Sequence, residues 1–451
     1  MSYQNSLLPI YQSLNSLTLF KEITRDTAVQ CFANIVTAVV HDPKTPPLNL
    51  WPEYHRLVGS LLEAAAQGQL QPAGNPWQNH LLDLILFHNH LLARQSAGEQ
   101  EISPLLREAF AHDLSHLQTL CQQGLTALEA IFEDVPGAFK LSCHAASSPG
   151  EGGHPTAKPA GELKQRLLLS DRWPDLLEDF IAFYRRTGFG EFALYRAFRW
   201  EAAPAGYQLV GLDEPDPIRL HQLIGYERQR RQVLDNTRRL LKGRSAHNLL
   251  LYGDRGTGKS STVKALLHEY GHLGLRLVQV PRKNLEGLQH LMGVLRKLPM
   301  KFIIFIDDLS FEETETDYKE FKTQLEGSLE PQPGNVCIYV TSNQRNLIKE
   351  YFGERTNRVA GDGEVHPGDT MQEKLSLADR FGLKITFLAP NKEAFLNIVR
   401  ELAAQEKIQI EAATLERLAI QWTLWNNERS GRTARQFIDH IKDRSHYDIF
   451  S

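Results

Sequence analysis

The chain has 451 residues, 42% of them hydrophobic and 23% charged, with a formal net charge of −4. Such a length exceeds one compact core, so two or three domains are expected, and the slight acidity excludes a global basic field for nucleic acid, leaving only local patches. Four scattered cysteines, Cys31, Cys121, Cys143 and Cys337, form no C-x-x-C pair, which argues against a disulfide framework or zinc ribbon and for a reducing, cytoplasmic setting.

Met1-Ser2-Tyr3-Gln4-Asn5 carries no basic leader and no apolar run reaches membrane length, so neither export nor membrane insertion is expected. From Lys21 to Phe139, apolar residues recur at three and four, which predicts amphipathic helices over Ala28–Val40, Tyr54–Gln67, Trp77–Leu92 and Ile102–Phe132. Pro43, Pro46-Pro47, Pro72, Gly74 and Pro76 punctuate them. These helices imply an all-α N-terminal domain over residues 1–144. Within it, His112-Asp113-Leu114-Ser115-His116 sets two imidazoles one turn apart, as a zinc-protease helix does, but with Asp where the Glu base would stand. A solvated helix face is the expectation there. His88 and His90, two apart, point to different faces of a helix, and no metal is assigned to them.

Residues 145–163, dense in Gly, Pro, Ser and other small residues, have the composition of a flexible linker. Residues 164–220 carry a helix over Pro174–Arg186 and two extended segments, Phe192–Trp200 and Tyr207–Val210, around Pro204-Ala205-Gly206. They read as a helix and hairpin joining the helical domain to an α/β core that begins near His221. The helix Arg228–Leu241 bears Arg228, Arg230, Arg231, Arg238 and Arg239, with Lys242 just beyond. This cluster fits a phosphate-contacting patch, and on an acidic chain it fits a solvated or subunit-facing helix better.

Asn248–Tyr252, then Gly253-Asp254-Arg255-Gly256-Thr257-Gly258-Lys259-Ser260, then Ser261–Leu267 read as strand, glycine loop and helix. The loop fits G-x-x-x-x-G-K-[ST], in which glycines let backbone N–H groups close around a polyphosphate and the helix N-terminus adds its positive dipole end. Lys259 is placed to reach the β- and γ-phosphates and the Ser260 hydroxyl to hold Mg²⁺. Beyond it, strands at Leu275–Val280, Lys301–Ile306, Asn335–Val340 and Leu383–Leu388 alternate with helices at Leu285–Leu298 and Asp317–Leu329. A mainly parallel sheet over residues 221–390, covered on both faces, is predicted. Residues 391–451 are helical throughout and form a C-terminal lid. The apolar strand Phe302–Ile306 ends in Asp307-Asp308, which delivers two carboxylates to the carboxyl edge of the sheet. Asp307 suits the Mg²⁺ shell and Asp308 the polarisation of an attacking water.

From about Leu223 to Ile449 these features resemble the AAA+ ATPases, which implies an α/β P-loop NTPase core with a C-terminal helical lid. Ile224-Gly225-Tyr226 is similar to that family's segment beside the adenine, Gly253–Ser260 with Ser261 to its Walker A loop, and Asp307-Asp308 to its Walker B. Thr341-Ser342-Asn343 resembles sensor 1, implying that Asn343 places the water. Ser376-Leu377-Ala378-Asp379-Arg380-Phe381 resembles box VII, where the arginine reaches a neighbouring subunit's site. Ser430–Arg435 resembles sensor 2, and either Arg432 or Arg435 aligns with its arginine. Two longer strings, DDLSFE from Asp307 and EKLSLADRFGL from Glu373, resemble an uncharacterised bacterial AAA+ family.

The resemblance implies ATP and Mg²⁺ as cofactors, a homo-oligomer, hexameric by analogy, and a protein or nucleic-acid client of unidentified nature. The second Walker B acid is more commonly Glu, and Asp308 is one methylene shorter, so a nucleotide-dependent binding switch with little hydrolysis is the alternative. Glu312 is a nearby reserve carboxylate. Pro281–Gly287 occupies the place of the unfoldase pore loop without an aromatic, which disfavours threading, with Lys283 and Leu285 left as pore-lining candidates. Tyr351–Gln372 is long for a connection and reads equally as a partner-binding loop or a surface insertion.

Overall fold

The structure, a computed structural model, describes residues 2–67, 71–98, 100–133, 135–136, 138–142, 157–204, 206–309, 331–343, 380–426 and 428–444. It divides into two compact units, Met1–Tyr195 with Leu298–Met300, and Arg196–Lys297 with Lys301–Ser451. None of the described helices is long and apolar enough to cross a membrane.

The first unit is helical: α1 (Ser2–Ser16), α2 (Thr27–His41), α3 (Trp51–Gln67), α4 (Pro76–Leu86), α5 (Leu91–Ala97), α6 (Pro104–Ile131), α7 (Ala157–Leu169), α8 (Leu177–Thr187) and the single turn α9 (Glu191–Leu194). Helix α6 begins where the Ser103 hydroxyl accepts the Leu106 N–H and Pro104 fixes the first φ. Its buried Phe110, Leu114, Leu117, Cys121, Leu125 and Leu128 recur at three and four, the spacing of one apolar face. Asp113 shares that face, fully buried, because its carboxylate accepts the N–H groups of Thr18, Leu19 and Phe20 and the Thr18 hydroxyl. The acid of the His112–His116 turn therefore works inward as an anchor for the chain after α1. The two imidazoles meet with Nε2 atoms 3.3 Å apart, His112 exposed and His116 half-buried, its Nδ1 3.1 Å from the Ser13 hydroxyl of α1.

The segment Trp77–Leu92, expected to be one helix, is two. His90 caps α5, its Nδ1 accepting the Ala93 N–H at 3.1 Å while Nε2 meets the Tyr184 hydroxyl at 3.1 Å. Burial pushes that imidazole down to about 3, so it stays neutral. The expected linker is shorter than its composition suggests. Helix α7 starts inside it, at Ala157, because Ala160, Leu163 and Leu167 are buried at helical spacing, a pattern that small residues conceal.

In the second unit, β1 (Ala197–Ala203), β2 (Gly206–Gly211), β3 (Leu249–Gly253), β4 (Leu275–Gln279), β5 (Lys301–Ile306), β6 (Val336–Ser342) and β7 (Leu383–Phe387) form one sheet in the order β2-β1-β4-β5-β6-β3-β7. Every pairing is parallel except β1 with β2. The hairpin expected as a separate connector is thus part of the core, with Ala197 in register with Leu277 of β4. The boundary between the units falls at Tyr195/Arg196. Helices α10 (Glu227–Leu241) and α11 (Lys259–Tyr270) cover the sheet with Val233, Leu240, Val263, Leu266 and Leu267.

After β4 the chain makes a 3-10 turn, Arg282–Gly287, before α12 (Leu288–Arg296), so the helix expected from Leu285 starts later. The turn is pinned to the hairpin. The Asn284 amide donates to the Trp200 carbonyl at 2.8 Å, and a Cβ on Gly287 would lie 2.7 Å from the Trp200 ring nitrogen. Leu285 is buried, so of the two pore-lining candidates only Lys283 is exposed.

The lid is α13 (Lys392–Gln405), α14 (Ala412–Asn426) and α15 (Gly431–Arg444), closed around Phe395, Val399, Leu402, Phe437, Ile438 and Ile441. The expected helix Asp317–Leu329, Glu312, the Glu373–Asp379 part of the box VII string, the Tyr351–Gln372 stretch and Cys143 lie outside the described residues.

Candidate functional site

Strand β3 ends in a loop whose glycines are required by shape. Gly253 has φ 131°, and a Cβ there would sit 2.1 Å from the Phe387 carbonyl oxygen of β7. Gly258, at φ 87°, turns the chain into α11. The loop is closed by the Thr257 hydroxyl donating to the Asp254 carbonyl at 2.8 Å. The Asp254 carboxylate accepts the Ala389 N–H at 2.5 Å, tying the loop to the strand end that leads into the lid.

Lys259 is 5% exposed and points back into the loop, Nζ donating to the carbonyls of Gly253 at 3.0 Å and Asp254 at 2.6 Å. Burial lowers its ammonium to about 8, against the opposing pull of Asp254, Asp308 and Asp307, with Arg432 adding to the depression. An incoming polyanion would replace those carbonyls.

One strand away across β6 stand the acids. The Ser260 hydroxyl donates to Asp307 Oδ1 at 2.5 Å, and the Thr341 hydroxyl donates to the same oxygen at 2.6 Å. The Asn343 amide donates to Asp308 Oδ1 at 2.5 Å. Asp308 itself adopts φ 52°, in the left-handed region.

These groups line one cavity of about 660 Å³. Lys259, Ser260, Asp307, Asp308 and Asn343 form its polar end; Leu223, Ile224, Tyr226, Phe387, Ile398 and Leu402 form an apolar end of the kind that holds a planar base. The Tyr226 ring lies 5.3 Å from that of Phe387 and its hydroxyl donates to the Leu388 carbonyl at 2.7 Å. Arg255, Gly256, Thr257, Gly258 and Ser261 also line the cavity, as do Arg432 and Arg435 from the lid. Of the expected site residues, Gly225, Gly253 and Asp254 do not line it. Hard oxygen donors from Ser260 and Asp307, together with a buried ammonium and a helix N-terminus, fit a magnesium-bound polyphosphate.

Arg380 is exposed and does not line this cavity. It precedes β7, whose parallel pairing with β3 places Leu383 at the sheet edge opposite the glycine loop. Five residues of strand at about 3.3 Å each separate the two edges.

Two residues of the site were named in the sequence without the contacts that the structure gives them. Thr341 entered only as the first residue of the sensor 1 string. Arg230 hides in a run of arginines, yet it lines the cavity and donates to the Gly225 carbonyl. Its companions diverge, Arg238 to Asp235 and Arg239 to the Ser245 carbonyl, so the cluster is not one patch.

A glycine loop between β3 and α11, an acid pair ending β5 with β6 between, the strand order β4-β5-β6-β3-β7 and a three-helix lid define a P-loop core of AAA+ type. Residues 193–445, more than half of the chain, match the family described as "Protein of unknown function (DUF815)", and the chain belongs to it. Over 106 residues, 24% of its length, it is 32% identical to a putative ORC1-type DNA replication protein 1 of Thermoplasma acidophilum, of which it covers 27%. Among solved structures it is similar to the Thermotoga maritima RuvB Holliday junction branch migration motor (16% identity, 51% of this chain and 66% of that one, TM-score 0.33). It is also similar to the FIGL-1 AAA domain in complex with ADP (17% identity, 51% and 75%, TM-score 0.35). A third is the replication initiator DnaA bound to AMPPCP and single-stranded DNA (18%, 51% and 66%, TM-score 0.34). The chain spans about a quarter of the curated relative, and the fold assignment rests on strand order and loop.

Proposed function

We propose that this protein binds and hydrolyses ATP with Mg²⁺, using the cycle to change the conformation of a client held through its helical N-terminal unit. The observation that carries the reading is the convergence of Lys259, Ser260, Asp307, Asp308 and Asn343 at one end of a single cavity. Mg²⁺ bound with the nucleotide supplies neutralisation of the β- and γ-phosphate oxygens. Ser260 and Asp307 hold it, Lys259 holds the phosphates, Asp308 takes the proton of the attacking water, and Asn343 orients both acid and water. The apolar end, with Tyr226 and Phe387, receives the base.

Spread negative charge in the transition state calls for a further cation, worth about 10³ to 10⁵ in rate when it is a supplied arginine. Arg380 lies at the far sheet edge of its own chain, so it serves the site of an adjoining subunit. The working form is a ring, hexameric by resemblance. The client is protein or nucleic acid, and the lack of an aromatic in Pro281–Gly287 disfavours threading, with the exposed Lys283 the remaining pore-lining candidate. Free cysteines Cys31, Cys121 and Cys337, all buried, suit the reducing cytoplasm.

The short Asp308 in a left-handed turn favours one second reading, a binding switch that hydrolyses little. The test for both is calorimetric titration of Mg·ATP into the purified full chain, with phosphate release followed across protein concentration. Binding lost in Lys259→Ala, with release per subunit rising with concentration, supports the hydrolase. Binding without release leaves the switch, and no binding overturns both.

A further inference from the structure

Thr341 is 1% exposed and stands next to the end of β6, beside the point where β5 gives way to the two acids. Its carbonyl accepts the Leu309 N–H at 2.8 Å. Its hydroxyl accepts the Asp308 N–H at 2.9 Å and donates to Asp307 Oδ1 at 2.6 Å. A single hydroxyl thus uses its proton on one acid and a lone pair on the backbone of the other.

That backbone is the unusual one. Asp308 sits at φ 52°, in the left-handed region that few non-glycine residues enter and that Asp enters more readily than most. The Thr341 hydroxyl pairs the N–H of this residue. Asn343, one residue past the end of the strand, donates to its carboxylate at 2.5 Å. The end of β6 therefore grips Asp308 at both backbone and side chain while fixing the orientation of Asp307.

We propose that Thr341 is a positioning residue that sets both Walker B acids together, so that the short Asp308 gains its working place from a backbone turn where a longer acid would use side-chain length. The inference rests on the reading of the site as an ATP hydrolase. Valine has the shape of threonine without donor or acceptor, and serine keeps the hydroxyl, so the two variants separate hydrogen bonding from packing.

The experiment uses full-length wild type, Thr341→Val and Thr341→Ser. It measures kcat and KM for Mg·ATP, and the affinity for a fluorescent ATP analogue in EDTA and in Mg²⁺. In Thr341→Val, kcat falls about 10²-fold, the cost of a misplaced group about 1 Å from its position. Its EDTA affinity matches wild type, and the gain in affinity on adding Mg²⁺ is lost. Thr341→Ser keeps kcat within about threefold and keeps the Mg²⁺ gain. Should Thr341→Val not melt cooperatively, Thr341→Ala supplies the same comparison. Equal kcat and Mg²⁺ gain in Thr341→Val and wild type overturn the inference alone, as does a loss in Thr341→Ser as deep as in Thr341→Val. A wild type with neither hydrolysis nor Mg²⁺ gain overturns the underlying reading and the inference with it.

Discussion

The backbone N–H of Arg432, in the first turn of the lid helix α15, donates to the carbonyl of Gly256 in the glycine loop at 3.1 Å. The lid therefore rests directly on the phosphate-binding element. The two lid arginines, indistinguishable in the sequence, occupy different settings. Arg432 lines the cavity beside Lys259 and adds a little to the depression of its ammonium, which burial dominates. Arg435 is paired with Glu406 at 2.9 Å, and Glu406 also takes Lys442 at 2.7 Å.

Arg432 is accordingly the better candidate for sensor 2. Arg432→Ala is expected to weaken ATP binding about tenfold, a loss near 1.4 kcal/mol, and to abolish any lid closure on nucleotide. Arg435→Ala loses a half-buried ion pair worth about 1 kcal/mol and shifts melting more than affinity. Titration of a fluorescent nucleotide into both variants, beside their melting curves, checks the assignment.

Asp308→Asn keeps size and most hydrogen bonding while removing the proton acceptor. Hydrolysis is expected to fall about 10²-fold or more, with nucleotide affinity unchanged. Single-turnover phosphate release beside equilibrium binding measures both. Equal rates in the variant and the wild type remove Asp308 from the chemistry.

Lys259 gives a pH dependence with a definite sign. Its folded value of about 8 lies below the ordinary 10.5, so the buried ammonium costs stability below about 8. That cost fades as the pH rises from about 8 to about 10.5. Loss of the same charge weakens phosphate binding. The rise in melting temperature caused by ATP is therefore larger near about pH 7 than near about pH 9.5, and Lys259→Arg, charged throughout, flattens the difference.

In the helical unit, Asp113→Ala leaves the N–H groups of Thr18, Leu19 and Phe20 without their buried acceptor. A loss of about 3 kcal/mol is expected, read from the denaturant midpoint. Gln122→Ala, on the exposed side of the same helix, changes it by less than about 0.5 kcal/mol.

The chemistry was largely legible in the sequence because the P-loop needs its residues contiguous. Gly253–Ser260 and Asp307-Asp308 each lie on one short stretch, and apolar strands on either side fix which sheet edge they reach. The features that escaped were set by tertiary pairing. A threonine such as Thr341 declares a function only when the neighbouring strand brings Asp307 and Asp308 beside it. The hairpin from Ala197 joins the sheet through a parallel partner far along the chain. The break in Trp77–Leu92 depends on His90 meeting Tyr184, and the start of α7 depends on the burial of Ala160 beside Leu163 and Leu167, which no hydropathy pattern announces. Box VII was readable as a string, and its residues from Arg380 onward lie among the described ones.

The claim on which the account turns is that each site is completed by an arginine from the adjoining subunit. Lys259→Ala has an intact Arg380 and a dead site; Arg380→Ala has an intact site and no arginine to lend. Phosphate release is measured for each variant alone and for an equal mixture after subunit exchange. Each alone is expected to be silent, and the mixture to recover up to about a quarter of the wild-type rate, the share of sites in which an intact pocket faces an intact arginine. A mixture as silent as its components, or full activity in Arg380→Ala alone, would contradict it.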